Sequence, residues 1–197
     1  ADLQSAGFDR SPTPPIGMGI LLLHMKDVNQ KRLNQEKIVS LLNLNKNLKV
    51  NLEIFDQIDS TNSYLLKKDQ SINTLNICIA EMQTKGKGRS GKVWESPKNN
   101  NIYLSIGTLL NEDISELDGF SILIALNICR ALKNVYKIRA KVKWPNDLYL
   151  KGKKFGGILI ETKVVNNKLA LVIGIGLNVF MKSNEFIDQE WTSLHIE

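Results

Sequence analysis

The chain has 197 residues, 43% hydrophobic and 23% charged, with a formal net charge of +6. That is the balance of an ordinary soluble protein with one domain and a sizeable core. With only two histidines, His24 and His195, it argues against a metal cluster or a histidine-based catalytic triad. Any catalysis would rest on Lys, Arg, Asp, Asn and backbone donors, which suits positioning and charge neutralisation, as in attack on a phosphoryl group. The positive balance suits anionic substrates or nucleic acid.

Residues 1–25 contain Ser11-Pro12-Thr13-Pro14-Pro15 and then an apolar stretch, 16–25, too short to span a bilayer. Ala1 to Asp9 lacks the basic region of a secretory signal. These residues are expected to be a cloning-derived or non-native leader, with residues 26–197 forming the functional domain. Helical periodicity with Ile38, Leu41 and Leu42 on one face predicts a helix over 30–44. A strand is predicted over 51–58. Ser60-Thr61-Asn62 then stands where a helix N-cap belongs, before Tyr64-Leu65-Leu66. A second strand, 75–80, leads into the loop Gly86-Lys87-Gly88-Arg89-Ser90-Gly91-Lys92. After a turn at 99–101, a strand is predicted over 102–110 and an apolar helix over 119–135, capped by Asp118 and buried in the core. Strands over 141–150, 155–165 and 168–179, joined by turns at 151–153 and 166–167, read as a three-strand meander. The fold class predicted is α/β of the α+β kind, a mostly antiparallel mixed sheet with helices packed on one face. Cys78 and Cys129 sit in apolar runs and read as reduced core residues of a cytoplasmic protein.

The loop at 86–92 carries most of the information. Three glycines let backbone N–H groups approach a ligand, and Lys87, Arg89 and Lys92 add positive charge at the same place. It is built to wrap a phosphate or a carboxylate. A Walker A loop is disfavoured: Val93 stands where the magnesium-binding hydroxyl should be, and Pro97 opposes the required helix. Further polar clusters lie at strand ends: Ser60-Thr61-Asn62, Lys143-Trp144-Pro145-Asn146-Asp147, Lys153-Lys154-Phe155-Gly156-Gly157 and Gly174-Ile175-Gly176-Leu177-Asn178. Alone, each has a plain structural reading, as a helix cap, a turn or a bulge. Trp94 and Trp144 could likewise be core anchors.

Together and in this order the clusters resemble the catalytic domain of biotin protein ligases (biotin–[acetyl-CoA carboxylase] ligases). The matching segments are 60–62, 86–92, 143–147, 154–161 and 174–178, and the resemblance spans residues 30–197. Lys87 and Lys92 replace arginines usual in that loop, which keeps the charge and loses the bidentate fork. Neither the helix-turn-helix that some members carry, for which the stretch before Ser60 is short, nor the small C-terminal domain of many members is expected within these 197 residues.

The resemblance implies the class II aminoacyl-tRNA-synthetase-like, biotin/lipoate ligase fold. It also implies formation of biotinyl-5′-AMP from biotin and ATP, followed by transfer of biotin to a lysine of the biotin carboxyl carrier protein of acetyl-CoA carboxylase. Arg89 and Lys154 would be the catalytic cations. Ser60, Thr61, Asn62, Gln83, Gly86, Lys87, Gly88 and Gly157 would join them around biotin. Lys92, Trp94, Lys143, Asn146, Asp147, Asn178 and Trp191 would take the ATP side, with Asp147 the candidate magnesium ligand. Neither DNA nor membrane is expected as a partner, and a homodimer is compatible with the family. The alternatives are a lipoate or octanoate ligase and a nucleic-acid-binding regulator. The last lacks aromatic interleaving with the cations and a recognisable reading helix.

Overall fold

The computed structural model describes residues 35, 36, 38, 48–98, 101–111, 117 and 119–197. The expected leader, Asn99, Asn100 and Asp118 lie outside them. Of the helix expected over 30–44, only Gln35, Glu36 and Ile38 are described, and all three are helical.

The strands are β1 (Lys49–Phe55), β2 (Thr74–Ala80), β3 (Asn101–Leu110), β4 (Lys141–Lys143), β5 (Asp147–Leu150), β6 (Lys153–Val165) and β7 (Lys168–Asn178). They form one seven-stranded sheet in the order β1-β2-β3-β7-β6-β5-β4. β1 and β2 are parallel, joined through helix α1 (Thr61–Lys67), and the other neighbours are antiparallel. A second helix, α2 (Phe120–Tyr136), connects β3 to β4. The mixed α/β class with a mostly antiparallel sheet is thus the one expected.

Three details differ from the sequence reading. The strand expected over 141–150 is two strands, because residues 144–146 form a turn and β4 pairs back on β5, Lys143 opposite Asp147. Pro145 has no N–H to give a ladder, so the run breaks there. The meander therefore has four strands.

The helices also take opposite faces of the sheet rather than one. Cys78 and Val172 pack with Leu65 of α1. Their strand neighbours Ile77, Ile79, Leu104, Ile173 and Ile175 point the other way, to Ile124, Ala125, Ile128 and Leu132 of α2. Covered on both faces, β2 reads as a near-continuous apolar run with no alternation to reveal which helix goes where. Finally, α2 is buried along one stripe only, and Leu123 and Leu126 are exposed. Its start is held by Gly119 in the left-handed region, φ +77°, without a side-chain cap. Ile128 and Leu132, both fully buried, each contribute about 1.5–3 kcal/mol of transfer free energy.

At the head of α1, Ser60 is extended and its hydroxyl accepts from the Ser63 N–H. That cap satisfies an orphan N-terminal donor and fixes Thr61 and Asn62 against the centre of the sheet. The front face, shared by α1 and the glycine loop, carries the cavity.

Candidate active site

A cavity of about 450 Å³ opens on the front face, between the head of α1, the glycine loop and the middle of β6 and β7. Its glycines explain how it exists. A Cβ on Gly174 would fall 2.3 Å from Asn62 Oδ1, and one on Gly176 would fall 2.6 Å from the Trp94 ring. Only glycine lets both side chains lie on β7. At the loop base, a Cβ on Gly86 would meet the Trp94 carbonyl at 2.2 Å. The loop folds back on itself there: the Trp94 N–H donates to the Gly86 carbonyl at 3.0 Å, and the Gly88 N–H to the Lys92 carbonyl at 2.7 Å.

One end of the cavity is a hydrogen-bonded polar wall. Gln83 Oε1 accepts from the Thr61 N–H at 2.9 Å, while Gln83 Nε2 donates to Ser96 Oγ at 2.9 Å. Ser96 Oγ in turn donates to the Trp94 carbonyl at 2.9 Å. Behind Thr61, Ser105 Oγ lies 2.7 Å from Thr61 Oγ1 and 2.6 Å from Asn62 Oδ1. Asn62 Nδ2 donates to Glu161 Oε2 at 2.8 Å and to the Leu159 carbonyl at 3.3 Å. Lys87 Nζ approaches the other Glu161 oxygen at 3.7 Å.

The other end is cationic. Lys154 Nζ lies 2.8 Å from Asp147 Oδ1 and 5.6 Å from the centre of the Trp94 ring. Carboxylate and indole together fix the ammonium's position. Arg89 donates to Asn146 Oδ1 at 3.3 Å, and Asn146 Nδ2 to the Ile158 carbonyl at 2.8 Å. Across the lining, Lys87, Arg89, Lys92 and Lys154 face one carboxylate, Asp147. With Glu161 beside Lys87, four cations meet two carboxylates, and the remaining positive charge attracts a small anionic ligand.

The cavity thus gathers Ser60, Thr61, Asn62, Gln83, Lys87, Gly88, Arg89, Lys92, Trp94, Asn146, Asp147, Lys154 and Gly157 from the residues singled out in the sequence. Gly86 supports the loop base, and Lys143, Asn178 and Trp191 lie outside the lining. Lys143 is exposed and sits over the Tyr149 ring at 4.9 Å. Asn178 is buried and donates to the Thr192 carbonyl at 3.1 Å. Trp191 pairs through its backbone with Lys154. These last two hold the C-terminal segment beside Lys154. Trp144 is 78% exposed, so it is no core anchor.

Sequence reasoning did not single out Ser105, Tyr103 or Gln189. Ser105 left a faint signal, a small hydroxyl flanked by Leu104 and Ile106 in the apolar run of β3. Tyr103 is buried with its hydroxyl donating to the Pro97 carbonyl at 3.0 Å, and burial pushes its phenol pKa up, so it stays neutral. Gln189 reaches the cavity from an irregular segment with no local pattern.

A cavity with a polar wall at one end and converging cations at the other is suited to hold a small ligand that ends in an anionic group. The chain belongs to the Biotin/lipoate A/B protein ligase family, whose model matches residues 54–178. It is 37% identical over 147 residues to the bifunctional ligase/repressor BirA of Salmonella typhimurium, covering 73% of this chain and 46% of that protein. It is 34% identical over 149 residues to the biotin–[acetyl-CoA-carboxylase] ligase of Mycobacterium tuberculosis, covering 73% of this chain and 54% of that protein. The chain therefore spans about half the length of these relatives. Among solved structures, the biotin protein ligase of Aquifex aeolicus in complex with biotin and ATP superposes with a TM-score of 0.60 at 34% identity, covering 74% of this chain and 60% of that one.

Proposed function

We propose that this chain is the catalytic part of an ATP-dependent biotin–protein ligase. The observation that carries the reading is the two-ended cavity, with uncharged hydrogen-bonding groups around Thr61 and Gln83 at one end and Arg89 and Lys154 at the other. Biotin has the same division, a neutral ureido ring joined to a carboxylate.

In the first half-reaction a carboxylate oxygen of biotin attacks the α-phosphorus of ATP. A P–O bond forms, the bond to the β-phosphate oxygen breaks, and pyrophosphate leaves with the electron pair. Lys154 and Arg89 neutralise the charge that builds between carboxylate and α-phosphate, and Asp147 keeps the Lys154 ammonium aimed. In the second, an unprotonated lysine amine of the carrier attacks the acyl carbon of biotinyl-5′-AMP. An amide forms, AMP leaves, and the nitrogen gives up a proton. The carrier is the biotin carboxyl carrier protein of acetyl-CoA carboxylase, in keeping with the name of the Mycobacterium tuberculosis relative.

The donor set does not amount to a magnesium cage. Among the described residues no group of three or more His, Cys, Asp or Glu could hold a metal ion, and Asp147 is engaged by Lys154. A magnesium ion would arrive on the ATP phosphates, and Asp147, the one carboxylate lining the cavity, would join it only by giving up Lys154. Two free cysteines suit a reducing, cytoplasmic setting, and among the described residues no helix is long and apolar enough to cross a membrane.

The cations converge in a concavity rather than a stripe, which favours a small anion over nucleic acid. The test supplies biotin, ATP, magnesium and a carrier fragment, and follows pyrophosphate release and the carrier's mass. The expected result is one biotinyl adduct on a carrier lysine. Transfer of lipoate in place of biotin would move the protein to the other branch of its family, and no transfer of either would overturn the reading.

A further inference from the structure

The polar wall contains more short oxygen contacts than it has protons to fill them. Thr61, Ser105 and Asn62 are almost fully buried, and Thr61 and Asn62 meet the cavity. The direction of each bond can be worked out from the outside inward. Asn62 Nδ2 faces the Glu161 carboxylate at 2.8 Å and the Leu159 carbonyl at 3.3 Å, both of which only accept. Its amide nitrogen is therefore fixed outward and Oδ1 inward. Ser105 Oγ lies 2.6 Å from that Oδ1 and must donate to it, which uses its one proton. Thr61 Oγ1 lies 2.7 Å from Ser105 Oγ, so Thr61 must donate there.

Gln83 is oriented from its other side. Ser96 Oγ spends its proton on the Trp94 carbonyl at 2.9 Å, so Gln83 Nε2 must donate to Ser96 and Gln83 Oε1 must face Thr61. Thr61 Oγ1 and Gln83 Oε1 are then two acceptors 3.1 Å apart with no hydroxyl proton left between them. It is also the longest of the three hydroxyl contacts in this cluster, as a contact without a proton should be. Both residues line the cavity.

We infer that Ser105, Asn62 and Glu161 are positioning residues that turn the Thr61 hydroxyl away from Gln83, leaving a paired acceptor that selects a headgroup carrying an N–H. This rests on the biotin reading, since the ureido ring is the donor that would fill the gap, and it supplies a physical basis for rejecting a lipoyl dithiolane, which has no N–H. Gln83 Oε1 already accepts from the Thr61 N–H, so a ligand without the N–H leaves Thr61 Oγ1 and Gln83 Oε1 facing each other with no proton between them, and the site disfavours it.

The test compares, by titration calorimetry, biotin with the two cyclic carbamate analogues in which one or the other ureido N–H is replaced by oxygen. Wild-type protein should prefer biotin over one carbamate by about tenfold or more. In Ser105→Ala the Thr61 hydroxyl is free to swing to Gln83, and the preference should fall to about one. Glu161→Lys, on the partly exposed end of the relay, offers Asn62 a donor in place of an acceptor and should reverse the amide, collapsing the preference in the same way even if Ser105→Ala fails to fold. Glu161→Gln can still accept from Asn62 and should keep the preference within about twofold.

An unchanged preference in Ser105→Ala and Glu161→Lys, or an equal collapse in Glu161→Gln, overturns the relay while leaving biotin binding standing. Failure of wild-type protein to bind biotin at all would overturn the functional reading and the relay with it, before any variant is compared.

Discussion

Lys154 and Lys153 are adjacent cations with different surroundings. Lys154 is held by Asp147 at 2.8 Å and lies over Trp94, whereas Lys153 is exposed at the first position of β6. Lys154→Gln should lower the rate of pyrophosphate release by about 10²–10³-fold, the usual cost of losing one preorganised charge-stabilising donor. It also leaves the Asp147 carboxylate unpaired, so a modest fall in melting temperature is expected. Lys153→Gln should change neither, and equal rates for the two variants would remove Lys154 from its role. Gly176 makes a steric prediction. The added methyl of Gly176→Ala would stand 2.6 Å from the Trp94 ring and push the indole off β7. Overpacking of this kind costs about 1–3 kcal/mol, and shifting the surface that positions Lys154 by an ångström can cost about 10²-fold in rate. Denaturant midpoints and adenylation assays on the same sample separate the two effects. At this scale chemistry and spacing singled out Arg89 and Lys154, and both line the cavity. At Ser105 a small hydroxyl in an apolar strand was not enough, because its part depends on Thr61 and Asn62, which lie 44 and 43 positions away in the chain.

Among the elements, those bounded by local signals were legible. The Ser60 cap placed α1, and the glycine and asparagine turns placed β6 and β7 within a residue or two. The parallel pairing of β1 with β2 was not legible, because nothing local tells a crossover from a hairpin. Nor was the assignment of helices to faces, since apolar residues point both ways from β2. The β1–α1 contact carries a pH prediction. Glu53 of β1 accepts from Tyr64 Oη and from Lys68 Nζ. Burial alone would raise its pKa, but hydrogen bonds from Lys68 and Tyr64 outweigh it and the net shift is downward from 4.5. The Tyr64 phenol is pushed up to about 12, first by its bond to Glu53 and then by burial. A carboxylate with a depressed folded-state pKa stabilises the fold above its unfolded pKa, and that stability is lost as pH falls through the folded value. Urea midpoints should therefore drop more steeply below about pH 4.5 in wild type than in Glu53→Gln; parallel curves would show that the bond contributes nothing.

For the whole molecule, the glycine loop is tied down at its base through Gly86 and Trp94 and open at its tip, where Val93 is 72% exposed and Arg89 and Lys92 lie beside it. Trypsin should cut after Arg89 or Lys92 in the free protein and much more slowly with biotin and ATP present; identical digestion patterns would argue that the loop does not close on the ligand. The sheet divides a working side, with α1, the loop and the glycines, from a supporting side built on the buried stripe of α2, Ile124, Ala125, Ile128 and Leu132, while Ser121 and Ile122 at the start of α2 reach toward the loop. Ile128→Val on the supporting side should cost about 0.5–1.5 kcal/mol in stability and leave the biotin KM as it was. That separation bears on how such a protein changes over generations. Drift on the α2 side alters how long the molecule survives without altering what it recognises, so heat tolerance and ligand choice can be inherited and selected as nearly independent traits.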